Sequence, residues 1–148
     1  MTRTYLEKVC CPDQRVNPLF AFLGIEVEAL MPERAMLRLR AKPEMVQGAG
    51  MIAGGILATL LDEAMAHAVL AGNAPREKTT TVDMNVCYLR PVEEGAMLEC
   101  EARVVKRGRR VVFAEAVLRA LGPDGESGPD TSGPAQEAAR ATATFLLI

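Results

Sequence analysis

Tryptophan is absent, histidine occurs once (His67), and four phenylalanines and two tyrosines make up the remaining aromatic content. A platform for single-stranded nucleic acid needs stacking rings beside basic side chains. With so few rings and a formal net charge of -2, nucleic acid is not an expected partner. Serine is nearly as scarce. Ser127 and Ser132 both fall in the Gly/Pro/Asp-rich stretch 122–135, whereas a Ser-His-Asp device needs a rigidly held nucleophile. The four cysteines, Cys10, Cys11, Cys87 and Cys100, show no C-x-x-C spacing and lie far from His67 in sequence, so no metal site is expected. Cys87 and Cys100 read as small buried hydrophobes, and Cys10-Cys11 as a mobile, reducible pair. A Cys-His nucleophile built on His67 has no local signature in its favour. No run approaches the roughly 20 apolar residues of a membrane span. The opening MTRTYLEKVCCPDQR lacks the apolar core of a signal peptide, which makes the cytoplasm the expected location.

What is present fits one domain. The chain of 148 residues has room for a single well-formed core. Residues 1–16 are expected to be flexible and 17–148 to form the domain. Asn17 and Pro18 fit the cap and first position of a short helix that Gly24 stops. Residues 25–30 and 35–40 alternate apolar with polar around Met31-Pro32-Glu33, the pattern of a hairpin. From 54 to 71 the pattern becomes a helix of roughly 27 Å. Its polar residues Thr59, Asp62, Glu63 and His67 occupy one arc of about 140°, so the rest of its girth is expected to be wrapped. Gly72-Asn73-Ala74-Pro75 ends it. Four strand-like runs follow at 79–89, 96–106, 111–121 and 138–148, and 122–135 is expected to be a mobile loop. No βαβ alternation appears, which argues against a doubly wound nucleotide fold. The expected architecture is α+β, an antiparallel sheet curved around one long helix.

The stretch 47–62 carries the chemistry. Gly48, Gly50, Gly54 and Gly55 let backbone approach a ligand closely just where a helix begins. The free N–H groups of a first helical turn, together with the helix dipole, favour negative charge there. Such donors can polarise a carbonyl and hold an oxyanion. Asp62 follows two turns later in an otherwise oily helix, where a carboxylate is costly unless paired or used.

Gln47, Gly50, Gly54, Gly55 and Asp62 stand at the spacing of a known pattern: Asn or Gln, Gly, His-Gly-Gly, then an apolar run ending in an acid. The segment Thr81-Val82-Asp83-Met84-Asn85-Val86-Cys87-Tyr88-Leu89-Arg90-Pro91-Val92 and the hairpin Val105-Lys106-Arg107-Gly108-Arg109 match the same family further on. Over residues 19–148 the chain resembles the PaaI-like (phenylacetic-acid-degradation-type) hot-dog thioesterases, which hydrolyse acyl-CoA. The resemblance implies a hot-dog fold, an acyl-CoA substrate, no cofactor, and a homodimer or homotetramer with its site built between subunits. It implies Asp62 as nucleophile or general base, the Gly54 N–H as carbonyl donor, Gln47 as an orienting group and Thr81 as a holder of water. Asp62 and Gln47 would then come from different subunits.

One position departs from the pattern: Ala53 replaces the motif histidine, which removes an imidazole beside the thioester and leaves the backbone donors in place. A non-catalytic acyl-CoA-binding protein is therefore an alternative. A hydroxyacyl-thioester dehydratase is a weaker one, because such sites pair an acid with histidine. Gly55 is a candidate substrate contact and Glu63 a fallback base. Arg90, Lys106, Arg107 and Arg109 are candidate phosphate contacts for CoA, with a solvated hairpin tip as the competing reading.

Overall fold

The computed structural model describes residues 4–122 and 136–148; the loop expected at 122–135 therefore falls almost wholly outside the described residues. A short helix α1 (Tyr5–Val9) and a second, α2 (Pro18–Leu23), precede the hairpin β1 (Glu26–Met31) and β2 (Arg34–Arg40). The long helix α3 (Gly54–Gly72) leads to β3 (Thr79–Tyr88), β4 (Met97–Arg107), β5 (Val111–Leu121) and β6 (Glu137–Leu147). The strands form one antiparallel sheet in the order β1-β2-β4-β5-β6-β3, and α3 lies across it. The fold is the hot-dog expected from the sequence.

Alternation decides which face meets the helix. Leu37 and Leu39 of β2, Leu98 and Cys100 of β4, Val112 and Leu118 of β5 and Phe145 of β6 all point inward and are buried. Ala102, Ala116 and Ala141 form a registered row across β4, β5 and β6. Their small side chains let α3 approach the sheet. Bulges in β1, β3 and β4 break the ladder locally and add twist, which helps the sheet curl. Leu60, Leu61, Met65 and Val69 of α3 fill the space this creates.

By length and composition α3 could cross a bilayer, yet eight of its residues are buried within the fold. The wrapping is incomplete. Gly55, Ala58, Thr59, Asp62, Ala66 and Leu70 stay partly or fully accessible along one side of the helix. The accessible side is essentially the polar arc expected from the sequence, with Ala58 at its edge, and the sheet covers the rest of the girth. The exception is His67, a member of that arc that is buried under the N-terminal segment.

The N-terminal segment, expected to be flexible, contains α1. A capping box joins Thr4 and Glu7, and Val9 is buried. Tyr5 reaches His67, which is 2 % exposed. His67 Nδ1 lies 2.7 Å from the Glu63 carbonyl, which can only accept, so this nitrogen carries the proton. Nε2 then accepts from the Tyr5 hydroxyl at 3.0 Å, and that hydroxyl accepts from Asn17 Nδ2 at 2.9 Å. Burial holds the imidazole neutral to lower pH than usual. Cys100 is buried as expected, and burial pushes its thiol pKa up. Cys87 is not: it lies exposed on β3, a strand with no neighbour on one side among the described residues.

Candidate active site

The turn before α3 is built by its own backbone. Gln47 N–H donates to the Met51 carbonyl at 2.8 Å, and Gly50 N–H donates to the Gln47 carbonyl at 2.9 Å. Gly50 has φ of 89°, a conformation that penalises any side chain. The Gln47 side-chain oxygen accepts from Ala49 N–H. Ile52 N–H donates to the Val92 carbonyl at 2.9 Å, which ties the turn to the chain leaving β3. These bonds aim the start of α3 into a cleft of about 350 Å³ lined by Gln47, Met51, Gly54, Tyr88, Arg90 and Val92, among others.

Ala53 is the N-cap of α3 and gives no side-chain hydrogen bond. Its carbonyl accepts from Ile56 and Leu57, while the N–H groups of Gly54 and Gly55 have no acceptor among the described residues. Two bare donors thus sit at the positive end of a 19-residue helix. The fit at 54 is close: a Cβ there would lie 3.2 Å from Cζ of Tyr88, so any larger residue must push that ring aside. The Tyr88 hydroxyl donates to the Gly54 carbonyl at 2.8 Å.

Asp62 is half-buried, and its Oδ1 accepts from the Thr81 hydroxyl at 2.8 Å. Asp62 and Thr81, named separately in the sequence as acid and holder of water, are thus in direct contact, with Thr81 bonded to the acid from β3. Gly54, Gln47 and Arg90 are also together, in the cleft. The two groups are apart, since eight residues of helix separate Gly54 from Asp62, about 12 Å. Within one chain, the bare amides and the acid cannot serve the same carbonyl.

Glu63 points elsewhere, toward His67, with Oε2 3.7 Å from Nδ1. Burial, and then the charge of Asp62, push its carboxyl up to about 7. Arg90 donates to the Glu137 carbonyl at 2.8 Å from the rim of the cleft. Arg107 has a structural task that the sequence reading missed. It donates to the Val69 carbonyl and the Asn73 side chain, each at 2.8 Å, and pairs with Glu33 at 2.7 Å. The expected phosphate cation is therefore engaged as the C-terminal cap of α3, at the opposite end from Gly54. Lys106 and Arg109 are exposed on the same hairpin. Tyr88 was also missed as a site residue; its signal was an aromatic two residues before Arg90-Pro91, in the strand facing a glycine-rich helix start.

A family model of the thioesterase superfamily matches residues 49–125, which is 77 of the 148 residues. The chain is 28% identical over 96 residues to human acyl-coenzyme A thioesterase 13, covering 64% of this chain and 66% of that protein. It spans a little under two thirds of the length of that relative and of several other curated relatives. A crystal structure of a thioesterase family protein from Silicibacter pomeroyi superposes with a TM-score of 0.78 at 30% identity, covering 89% of this chain and 90% of that one. The E. coli PaaI protein from the phenylacetic acid degradation operon gives 0.77 at 18% identity, covering 89% and 85%, a likeness of fold. With its sheet, central helix and bare glycine amides already in view, the chain belongs to the thioesterase superfamily and has the hot-dog fold of the PaaI-like proteins.

Proposed function

We propose that the protein is an acyl-CoA thioesterase whose site forms between two copies of the chain. The observation that carries this reading is the position of β3. Near one end of this strand Thr81 holds Asp62, and at the other Tyr88 holds Gly54. Among the described residues the strand bonds only to β6, so its other edge presents backbone groups unpaired by them, and Val82, Tyr88 and Leu89 are each more than half exposed. Antiparallel pairing of two such edges about Met84–Asn85 lays the Thr81 end of one strand beside the Tyr88 end of the other. Asp62 then approaches the Gly54 and Gly55 amides of the partner subunit, which removes the separation found within one chain.

In this site the thioester carbonyl oxygen accepts from the bare amides, which stabilise the oxyanion as it forms. Asp62 takes a proton from a water molecule steadied by Thr81, and that water attacks the carbonyl carbon. The tetrahedral intermediate collapses with loss of the CoA thiolate, which takes the proton held by Asp62, leaving a free carboxylic acid and the Asp62 carboxylate restored. Gln47 orients the thioester, and Arg90, on the cleft rim, is placed to meet CoA phosphate. Asp62 and backbone amides supply the required groups, so the reading calls for no metal or organic cofactor.

Purified protein incubated with short, aryl and long acyl-CoAs is expected to release free thiol. Asp62→Asn should lower the rate by about 10²–10⁴-fold, the usual worth of a positioned general base. If the wild type releases no thiol from any of these, the hydrolase reading is wrong. Ala53 favours one second reading, an acyl-CoA-binding protein without turnover, because the N-cap offers no side-chain group to the substrate. Saturable binding of a non-hydrolysable acyl-CoA without thiol release would establish it.

A further inference from the structure

We propose that Tyr88 is a positioning residue that orients the Gly54–Gly55 peptide and makes the Gly55 N–H the second donor of the carbonyl-binding site. The Gly54 carbonyl and the Gly55 N–H belong to one planar peptide unit. The Tyr88 hydroxyl donates to that carbonyl at 2.8 Å, and its ring covers the Gly54 Cα closely enough that a Cβ would meet Cζ at 3.2 Å. Ring and hydroxyl together limit rotation of the peptide plane. Accepting the hydroxyl proton also draws electron density toward the carbonyl oxygen, which makes the N–H at the other end of the unit a stronger donor.

Thr59 makes a comparable bond, from its hydroxyl to the Gly55 carbonyl at 2.9 Å. That peptide's N–H belongs to Ile56 and is already given to the Ala53 carbonyl at 3.0 Å. Tyr88 therefore acts on a peptide whose donor is free, and Thr59 on one whose donor is used. The side chain at 53 is a methyl group, so Tyr88 supplies the side-chain hydroxyl that touches this turn of backbone from the cleft.

The chemical consequence rests on the thioesterase reading, whereas the structural one can be measured without it. In ¹⁵N-labelled protein, Tyr88→Phe keeps the ring and deletes the hydroxyl. The Gly55 amide proton should move upfield while those of Gly72 and Gly95 stay. In turnover, kcat should fall about tenfold with KM changed by less than about twofold, the mark of a donor that matters mainly in the transition state. An unmoved Gly55 resonance overturns the proposal, and so does a moved resonance with unchanged kcat. A moved resonance in a wild-type protein that releases no thiol supports the orienting bond and refutes the hydrolase reading alone.

Discussion

Two adjacent acids on α3 show how one step along a helix separates two chemistries. Asp62 faces β3 and accepts from Thr81, while Glu63 turns about 100° away toward His67 and the N-terminal segment. Sequence favours Asp62 by its spacing from the glycines, and the position of Thr81 supports that choice. Glu63 has instead the character of a half-buried acid that keeps its proton to higher pH than an exposed one. Its folded value, about 7, lies above the ordinary 4.5, so the protonated form suits the folded chain. The resulting stabilisation is complete below about pH 4.5 and is lost as pH rises through about 7. Glu63→Gln should remove that loss. Thermal melting between pH 5 and 8, roughly the range bracketing this titration, should show the variant gaining on the wild type as pH rises. Parallel curves would mean that Glu63 ionises in the folded state as it does in the unfolded chain.

At the scale of elements, α3 shows the reach of sequence reading and its limit. Its start was legible because Gly54 and Gly55 follow a loop that needs Gly50, and its end because Gly72-Asn73-Ala74-Pro75 cannot continue a helix. The strands were legible through their alternation, as at Ala35, Leu37 and Leu39. Neither Arg107 nor Tyr5 could be placed in this way, because each acts across many residues of sequence and local pattern carries no distance. Arg107 reads as a hairpin cation until the fold brings it to Val69 and Asn73. Tyr5 looks like part of a loose tail until it meets a buried histidine 62 residues away. The cap has a measurable consequence. Arg107→Ala should destabilise the fold by about 2 kcal/mol in urea titration, since it removes charge-assisted bonds to α3. Alanine at the exposed Lys106 or Arg109 should cost under about 0.5 kcal/mol. Equal losses at all three positions would show that Arg107 is not a cap.

For the whole molecule, the fold leaves two features incomplete in the same region. One side of α3 is uncovered, and β3 has an unpaired edge carrying exposed apolar groups. The two halves of the proposed site lie along that edge, about 12 Å apart in one chain. On the proposed reading a single copy holds two half-sites, and a two-fold pair would hold two whole ones, each drawing Asp62 from one subunit and the glycine amides from the other. The sequence contains every group this needs. Composition and spacing could not show which groups belong together, because the pairing is a property of two chains; only the family resemblance pointed to a site between subunits.

Mixing two inactive variants tests this arrangement most directly. Asp62→Asn removes the acid, and Gly54→Val blocks the amide cleft where Tyr88 already lies close. Unfolded together and refolded as a mixture, the two should recover roughly a quarter of wild-type acyl-CoA hydrolysis, because half the dimers are mixed and each has one intact site. A mixture that forms mixed dimers yet stays as silent as its parents, beside an active wild type, would contradict a site shared between subunits.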